Sequence, residues 1–297
     1  MAPLNDSDEV RSFYNSVENL GADFRKNESR IKGLRAFNNW IKCALIHKFA
    51  VIDDRQFVQR QGLQEHATDD AKGQSPGIHV LEIGLYVGLD PAEISIQQAQ
   101  ERWEGYQRTL KYGNAVSRAE FYTQDCFGKS LERIPAVREI GFAPGIGAGF
   151  DIASMMFCMH YAFENETTVR MMFGNITSAL KPCGRLIGCV PSSKVISKHI
   201  REFEATLGTL ELGEYQPSVA WGNEIYNVRF PGKTPVDGVF GSLFGDRYFF
   251  SLAEAVEAPE YVVPWELFCE LAGEYDLKLK YCKPFDEVWE ERGKMST

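Results

Sequence analysis

The chain contains no apolar run near the roughly 20 residues that a membrane-spanning helix requires, so a helical membrane protein is not expected. No secretory leader is read at its start either, because Met1 to Val10 is polar and acidic. Its seven cysteines are scattered and form no paired metal-ligand spacing, so no structural metal is expected. Most of them, Cys158 and Cys189 among them, stand in apolar runs and read as buried thiols in a reducing compartment. Internal repeats and low-complexity tracts are absent. So is any excess of positive charge. A formal net charge of −9 argues against broad, non-specific binding to nucleic acid. A nucleic-acid ligand would have to be recognised at a small, specific site.

What is present is ordinary globular material. The 297 residues suffice for one large α/β domain or two small ones. An apolar fraction of 44% beside 25% charged residues allows a real core. Arg30 to Phe49 reads as a helix, since Ile31, Leu34, Ile41, Ala44 and Leu45 recur at three- and four-residue spacing. The basic residues Arg25, Lys26, Arg30, Lys32 and Arg35 cluster at and before its start. Asp53 to Pro76 is polar and reads as a surface loop.

Short apolar runs follow: Val80 to Gly84, Tyr86 to Asp90, Ala119 to Asp125, Phe150 to Phe157 and Arg185 to Val190. Helical stretches at Ile94 to Leu110, Thr167 to Leu180 and Trp265 to Tyr275 separate or follow them. Alternation of this kind implies a parallel sheet with helices on both faces. Ile225 to Phe230 and Tyr248 to Leu252 read as an inserted antiparallel hairpin, and Leu277 to Pro284 as one more strand.

In open α/β sheets, ligands bind at the carboxyl ends of the strands. Three such ends carry useful groups here. Gly84 ends the first run, Asp90 is placed to accept from a ribose diol, and Asp125 from an adenine amine. An acid that ends a strand is more often a helix cap or a turn residue, so this spacing is weak by itself.

Longer strings are more specific. Arg25-Lys-Asn-Glu-Ser-Arg-Ile-Lys-Gly-Leu-Arg-Ala-Phe-Asn-Asn-Trp-Ile-Lys42 and Phe157-Cys-Met-His-Tyr-Ala-Phe163 closely resemble signatures of the messenger-RNA cap guanine-N7 methyltransferases, in a fungal-like form. So do Val87 to Ile96, Trp221 to Phe230 and Ala255 to Pro264, and the strings span nearly the whole chain in family order. The resemblance implies a class I S-adenosylmethionine-dependent methyltransferase fold (α/β, Rossmann-like) as a single domain. Its parts would be an N-terminal helix region (1–50), a donor-binding core (78–200), a cap-side hairpin insertion (201–264) and a last helix and strand (265–297). It implies methyl transfer from S-adenosylmethionine to N7 of the cap guanine, with no metal. By family role, Lys42, Gly84, Asp90, Asp125 and Tyr161 would contact the donor, and Met156 stands where the family usually has a donor-contacting Gln. Asn38, Asn39, Arg102, His160 and Glu260 would hold or orient the cap. The implied partners are the capped 5′ end of mRNA, the capping machinery and RNA polymerase II, in the nucleus and away from membranes.

Taken one at a time, these residues read more blandly. Lys42 alone is a solvated helix residue, Asn38-Asn39 a helix irregularity, His160 and Tyr161 packing residues, and Glu260 a loop acid. The basic run Arg25 to Arg35 is by default a solvated face. Under the resemblance it would sit near the cap triphosphate.

The family pattern also breaks. Its first strand leads through a Gly-rich loop and a helix to the second strand, whereas here Val80-Leu-Glu-Ile-Gly84 runs straight into Leu85-Tyr-Val-Gly-Leu-Asp90. Parallel neighbours need a crossover of about a dozen residues, so the sheet is expected to be perturbed around Gly84-Leu85. The aromatic cap contact of the family's final strand is not found before Thr297. A misspliced form, a catalytically impaired cap-binding paralogue and a small-molecule methyltransferase derived from the family are the competing readings.

Overall fold

In the computed structural model, the described residues are 6–16, 24–25, 27–49, 83–109, 116–142, 149–207, 218–235 and 237–295. The polar stretch 53–76 and residues 80–82 lie outside them.

The chain opens with α1 (Asp6–Ser16) and α2 (Lys32–Phe49). The first βαβ unit is β1 (Ile83–Asp90), α3 (Glu93–Thr109) and β2 (Val116–Thr123). A short helix α4 (Pro135–Ile140) follows, with Pro at its start, where the missing N–H costs nothing. The second unit is β3 (Phe150–Met156), α5 (Glu166–Ala179) and β4 (Leu180–Cys189). After α6 (Ser193–Leu207) come β5 (Ala220–Gly222), β6 (Tyr226–Arg229), β7 (Arg247–Leu252) and β8 (Val256–Tyr261). The last elements are α7 (Trp265–Glu274) and α8 (Phe285–Met295).

The parallel sheet consists of two pairs. β1 pairs with β2, Tyr86 opposite Ala119 and Asp90 opposite Thr123, and β3 pairs with β4, Met156 opposite Cys189. Among the described residues no strand is hydrogen-bonded to both pairs. The described residues thus hold two separate parallel pairs. Among them, β1 is one uninterrupted strand from Ile83 to Asp90. Gly84 therefore lies inside β1 and does not end a strand, which corrects the expected Gly turn at that position. The pairs still share a core on one face. Val87 and Leu89 of β1, Tyr122 of β2 and Phe150 of β3 all pack around Leu131, Ile134 and Val137.

The expected hairpin is larger than the sequence pattern indicated. β5 to β8 form a four-stranded antiparallel meander. Its inner face packs with α6 around Ile200, Val228, Phe230, Tyr248 and Val262. The expected strand Leu277 to Pro284 does not form; the segment runs without a ladder partner into α8. Alternating Leu and Lys supplied the strand pattern there, but a strand exists only when a neighbour accepts its hydrogen bonds. Residues 265–295 thus hold two helices joined by a segment without a strand.

The largest core cluster holds the second βαβ unit against α7. Phe163, Val169, Met172, Phe173, Phe268 and Leu271 are its centre. A capping box starts α5: the Asn165 side chain accepts from the Thr168 backbone N–H, and Thr168 Oγ1 accepts from the Asn165 N–H. α2 and α8 form a separate aromatic-rich cluster, with Trp40 and Trp289 ring centroids 4.7 Å apart.

Candidate active site

Several of the candidate residues lie at or near the carboxyl ends of the parallel strands. Asp90 is the last residue of β1. Its Oδ1 accepts from the Ala92 N–H at 2.8 Å, an arrangement that also organises the start of α3. Burial pushes its carboxyl above the usual range, and the Ala92 N–H partly offsets this. Asp125 lies two residues beyond β2, and its Oδ1 accepts from Phe127 N (3.0 Å) and Gly128 N (2.9 Å). A Cβ at Gly128 would come within 2.3 Å of Asp125 Oδ2, so a larger residue there would force the carboxylate to shift. Each acid spends one oxygen on its own turn.

A third group anchors the Asp125 loop from below. Asn175, 4% exposed on α5, accepts from Leu131 N and donates to the carbonyls of Cys126 and Lys129. Nothing in the sequence pattern singled it out. An Asn inside an apolar helix face was the available signal, since a buried amide requires partners.

Phe157 follows β3 with φ 63°, a conformation that costs a non-glycine residue about 1–3 kcal/mol. The strained turn sets Phe157 between two neighbours: Lys42 Nζ lies 5.5 Å above its ring, and Phe285 meets its edge at 5.9 Å. Lys42, half-buried on α2, therefore reaches toward the end of β3. Met156 packs with Ile41, Leu45 and Val288 in the α2–α8 cluster. Three thiols border the site. Burial pushes Cys126 and Cys158 up to about 12 and Cys189 to about 11. They stay protonated near neutral pH and cannot act as nucleophiles there.

A 3-10 turn, Met159–Glu164, carries His160 and Tyr161. Their ring centroids are 4.4 Å apart. Glu260 on β8 faces them, with Oε1 3.3 Å from His160 Nε2 and Oε2 accepting from the Tyr248 hydroxyl at 2.7 Å. His160 is 2% exposed, yet neither ring nitrogen has a well-directed hydrogen bond to a described residue. The 3.3 Å approach to Glu260 is off the line of a hydrogen bond.

The residue that joins the two sides was not anticipated. Tyr14 of α1 sets its hydroxyl 3.2 Å from that of Tyr161. Burial raises its pKa, the Tyr161 hydrogen bond works against this, and the charges of Glu260 and then Asp90 raise it further. Tyr14 thus feels the charges of both the acid of β1 and the acid of β8. α1 is tied down at both ends: Glu9 pairs with Arg247, and Asn15 Oδ1 accepts from Ile94 N at the start of α3. The spacing of Val10, Phe13 and Tyr14 was the signal for this helix.

Other predicted residues stand further from this cluster. Asn38 is half-buried on α2, while Asn39, one position on, is exposed. Arg102 projects from α3 toward solvent; partial desolvation and then the nearby Arg25 charge lower its pKa. Two guanidinium groups held near each other favour an anion. Most of the basic run serves the fold instead. Arg30 donates to Glu224 O at the turn between β5 and β6, and Arg35 to Glu254 O at the turn between β7 and β8. Two open clefts, of about 440 and 300 Å³, lie at that turn and along α3–β2. Neither is lined by Asp90, Tyr161 or Glu260.

Comparison with known proteins gives a consistent picture. A sequence model of the mRNA (guanine-N(7))-methyltransferase domain matches residues 3–297. The chain is 40% identical over 342 aligned positions to an mRNA cap guanine-N(7) methyltransferase of Pyricularia oryzae, covering 96% of the chain and 68% of that protein. It is 42% identical over 307 positions to the Aspergillus niger protein of the same name, with 96% and 48% covered. With the Schizosaccharomyces pombe protein the figures are 38%, 99% and 72%. The chain thus spans from about half to less than three quarters of the length of these curated relatives. Among solved structures, an S-adenosylmethionine-dependent methyltransferase from Clostridium acetobutylicum aligns with a TM-score of 0.39 at 12% identity, over 67% of each chain.

Proposed function

The chain belongs to the mRNA (guanine-N(7))-methyltransferase family, and on that premise we propose that its site is built to move a methyl group from S-adenosylmethionine to N7 of the cap guanine. The observation that carries the cap half of this reading is the buried constellation of His160, Tyr161 and Glu260. A buried imidazole with no well-directed partner costs about 1–3 kcal/mol. Such a cost is retained where a ligand later supplies the partner.

The chemistry suits these residues. Guanine N7 already carries an in-plane lone pair, so no base need remove a proton before attack. Catalysis reduces to alignment and electrostatics, and no catalytic acid or base is assigned. Glu260 accepts from the guanine N1 and N2 hydrogens, as a charge-assisted pair. Asn38 and Asn39 supply donors and acceptors along α2, and Arg102 faces the phosphates with Arg25 beside it. Tyr161 and Tyr14 divide the cap side from the donor side. The meander β5–β8, within region 201–264, walls the pocket.

Fit to the methyl donor is partial. Asp90 and Asp125 suit the ribose and the adenine, and Lys42 and Tyr161 border the same space. Where the family has its Gly-rich turn, Gly84 lies near the start of β1, and Met156 offers no polar contact. S-adenosylmethionine supplies the methyl group in this family; among the described residues only part of its cradle is formed. The structure therefore favours retained cap recognition with impaired donor binding. The natural setting is the nucleus, beside the capping machinery and RNA polymerase II.

The test is cap binding by Glu260→Ala. Losing the carboxylate leaves base donors unpaired, so affinity for a GpppA cap analogue falls at least several-fold, while donor affinity hardly changes. Unchanged cap affinity, or equal binding of uncapped RNA, overturns the reading.

A further inference from the structure

Glu260 is held by a residue with no role yet assigned. Tyr248 on β7 stands directly opposite Glu260 on β8 in the antiparallel register. Cross-strand partners project to the same face of the sheet. The Tyr248 ring is 2% exposed and fixed by Val228, Phe230 and Val262 in the core between the meander and α6. Its ring centroid is 5.6 Å from that of Phe230. From this fixed base the hydroxyl reaches Glu260 Oε2 at 2.7 Å. Glu260 is itself 5% exposed.

We propose that Tyr248 is the positioning residue for Glu260, pinning the carboxylate plane so that its edge meets the guanine N1 and N2 hydrogens in register. The inference rests on the reading that Glu260 faces the base. A free carboxylate rotates about its last bond and offers its oxygens in any direction. One short bond from a ring that cannot move removes that freedom. Burial, followed by the Glu260 charge, keeps the Tyr248 hydroxyl protonated far above neutral pH, so it always donates. Oε2 keeps a second lone pair for the base, and Oε1 points toward His160. The groups surrounding the carboxylate are therefore Tyr248 from its own sheet, His160 and Tyr161 from the 3-10 turn, and Tyr14 from α1. Together these make the site selective for a base with adjacent N–H donors, and Tyr248 sets how sharply it selects.

The experiment compares two dinucleotide caps, GpppA and IpppA, which differ only in the guanine 2-amino group. Binding to the unmodified chain and to Tyr248→Phe is measured by titration calorimetry. The unmodified chain prefers GpppA by about tenfold, the value of one hydrogen bond to a charged acceptor. Tyr248→Phe keeps the ring and its packing, and the preference falls to about threefold or less, mainly through weaker GpppA binding. The ratio is insensitive to a reduced folded fraction, because both caps meet the same preparation. Equal weakening toward both caps marks a merely structural role and overturns the inference, as does an unchanged ratio. An unmodified chain that binds neither cap, or both alike, removes the cap reading itself, and that outcome is recognised before any variant is made.

Discussion

Asn175→Ala tests how the loop that carries Asp125 is held. The side chain makes three hydrogen bonds: Leu131 N donates to Oδ1 at 3.0 Å, and Nδ2 donates to Cys126 O at 2.9 Å and Lys129 O at 2.8 Å. Alanine removes all three at once. A trapped, unpaired backbone group costs about 1–3 kcal/mol, but the three are not equally trapped. Lys129 is exposed and its carbonyl can turn to water, whereas Leu131 is 8% exposed and sits in the cluster with Ile134 and Val137. Counting Leu131 N in full and the carbonyls in part gives a loss of about 2–4 kcal/mol. That is a large share of the roughly 5–15 kcal/mol that holds a typical domain together. Urea unfolding followed by tryptophan fluorescence measures it, with an unchanged m-value showing that the same surface unfolds. Asn175→Asp retains the acceptor for Leu131 N but sets a carboxylate against two carbonyls, so it is no milder. A loss under about 1 kcal/mol for Asn175→Ala would falsify the assignment of Asn175 as the anchor of the Asp125 loop.

Calorimetric titration with S-adenosylmethionine is expected to show weak or absent binding by this chain; ordinary micromolar affinity would mean that another segment replaces the missing loop. Acid should loosen α8 from α2. Hydrogen bonds from Lys283, Lys48 and Tyr281 depress the Glu291 carboxyl from 4.5 to about 2, so its contribution is complete above pH 4.5 and is lost as pH falls toward 2. Tryptophan fluorescence from Trp40 and Trp289 reports the change, and Glu291→Gln should flatten that part of the titration; a full acid transition in that variant would contradict the assignment. Gly149→Ala should cost at least about 2 kcal/mol, because Gly149 has φ +65° and a Cβ there would meet Lys181 N at 2.5 Å. A thermal midpoint within a degree of the parent's would show that the β3–β4 junction yields more easily than its geometry implies.

Local order was largely legible in the amino-acid sequence. The three- and four-residue spacing that marked α2, and the apolar periodicity of α5, are properties of single segments, and both helices form within two residues of expectation. Strand ends at Asp90 and beyond Phe121 were legible for the same reason, and so were the family strings, each a contiguous run. Two strand patterns in direct contact cannot be parallel neighbours, but residues 80–82 of the first lie outside the described residues. What becomes of such a break was not legible. Whether Gly84 turns or extends depends on what pairs with it, and only the assembled β1–β2 ladder makes it extended. Leu277 to Pro284 shows the converse: it has a strand's alternation, and the fold offers it no partner. The site depends still more on tertiary structure. Tyr14 meets Tyr161 across 147 positions of sequence, Asn175 reaches back to Cys126 and Leu131, and Tyr248 faces Glu260 only through the register of β7 on β8. Periodicity states which face a residue is on. Which residue stands opposite is decided by packing between elements distant in sequence, and in this chain those opposing pairs hold the candidate site in shape.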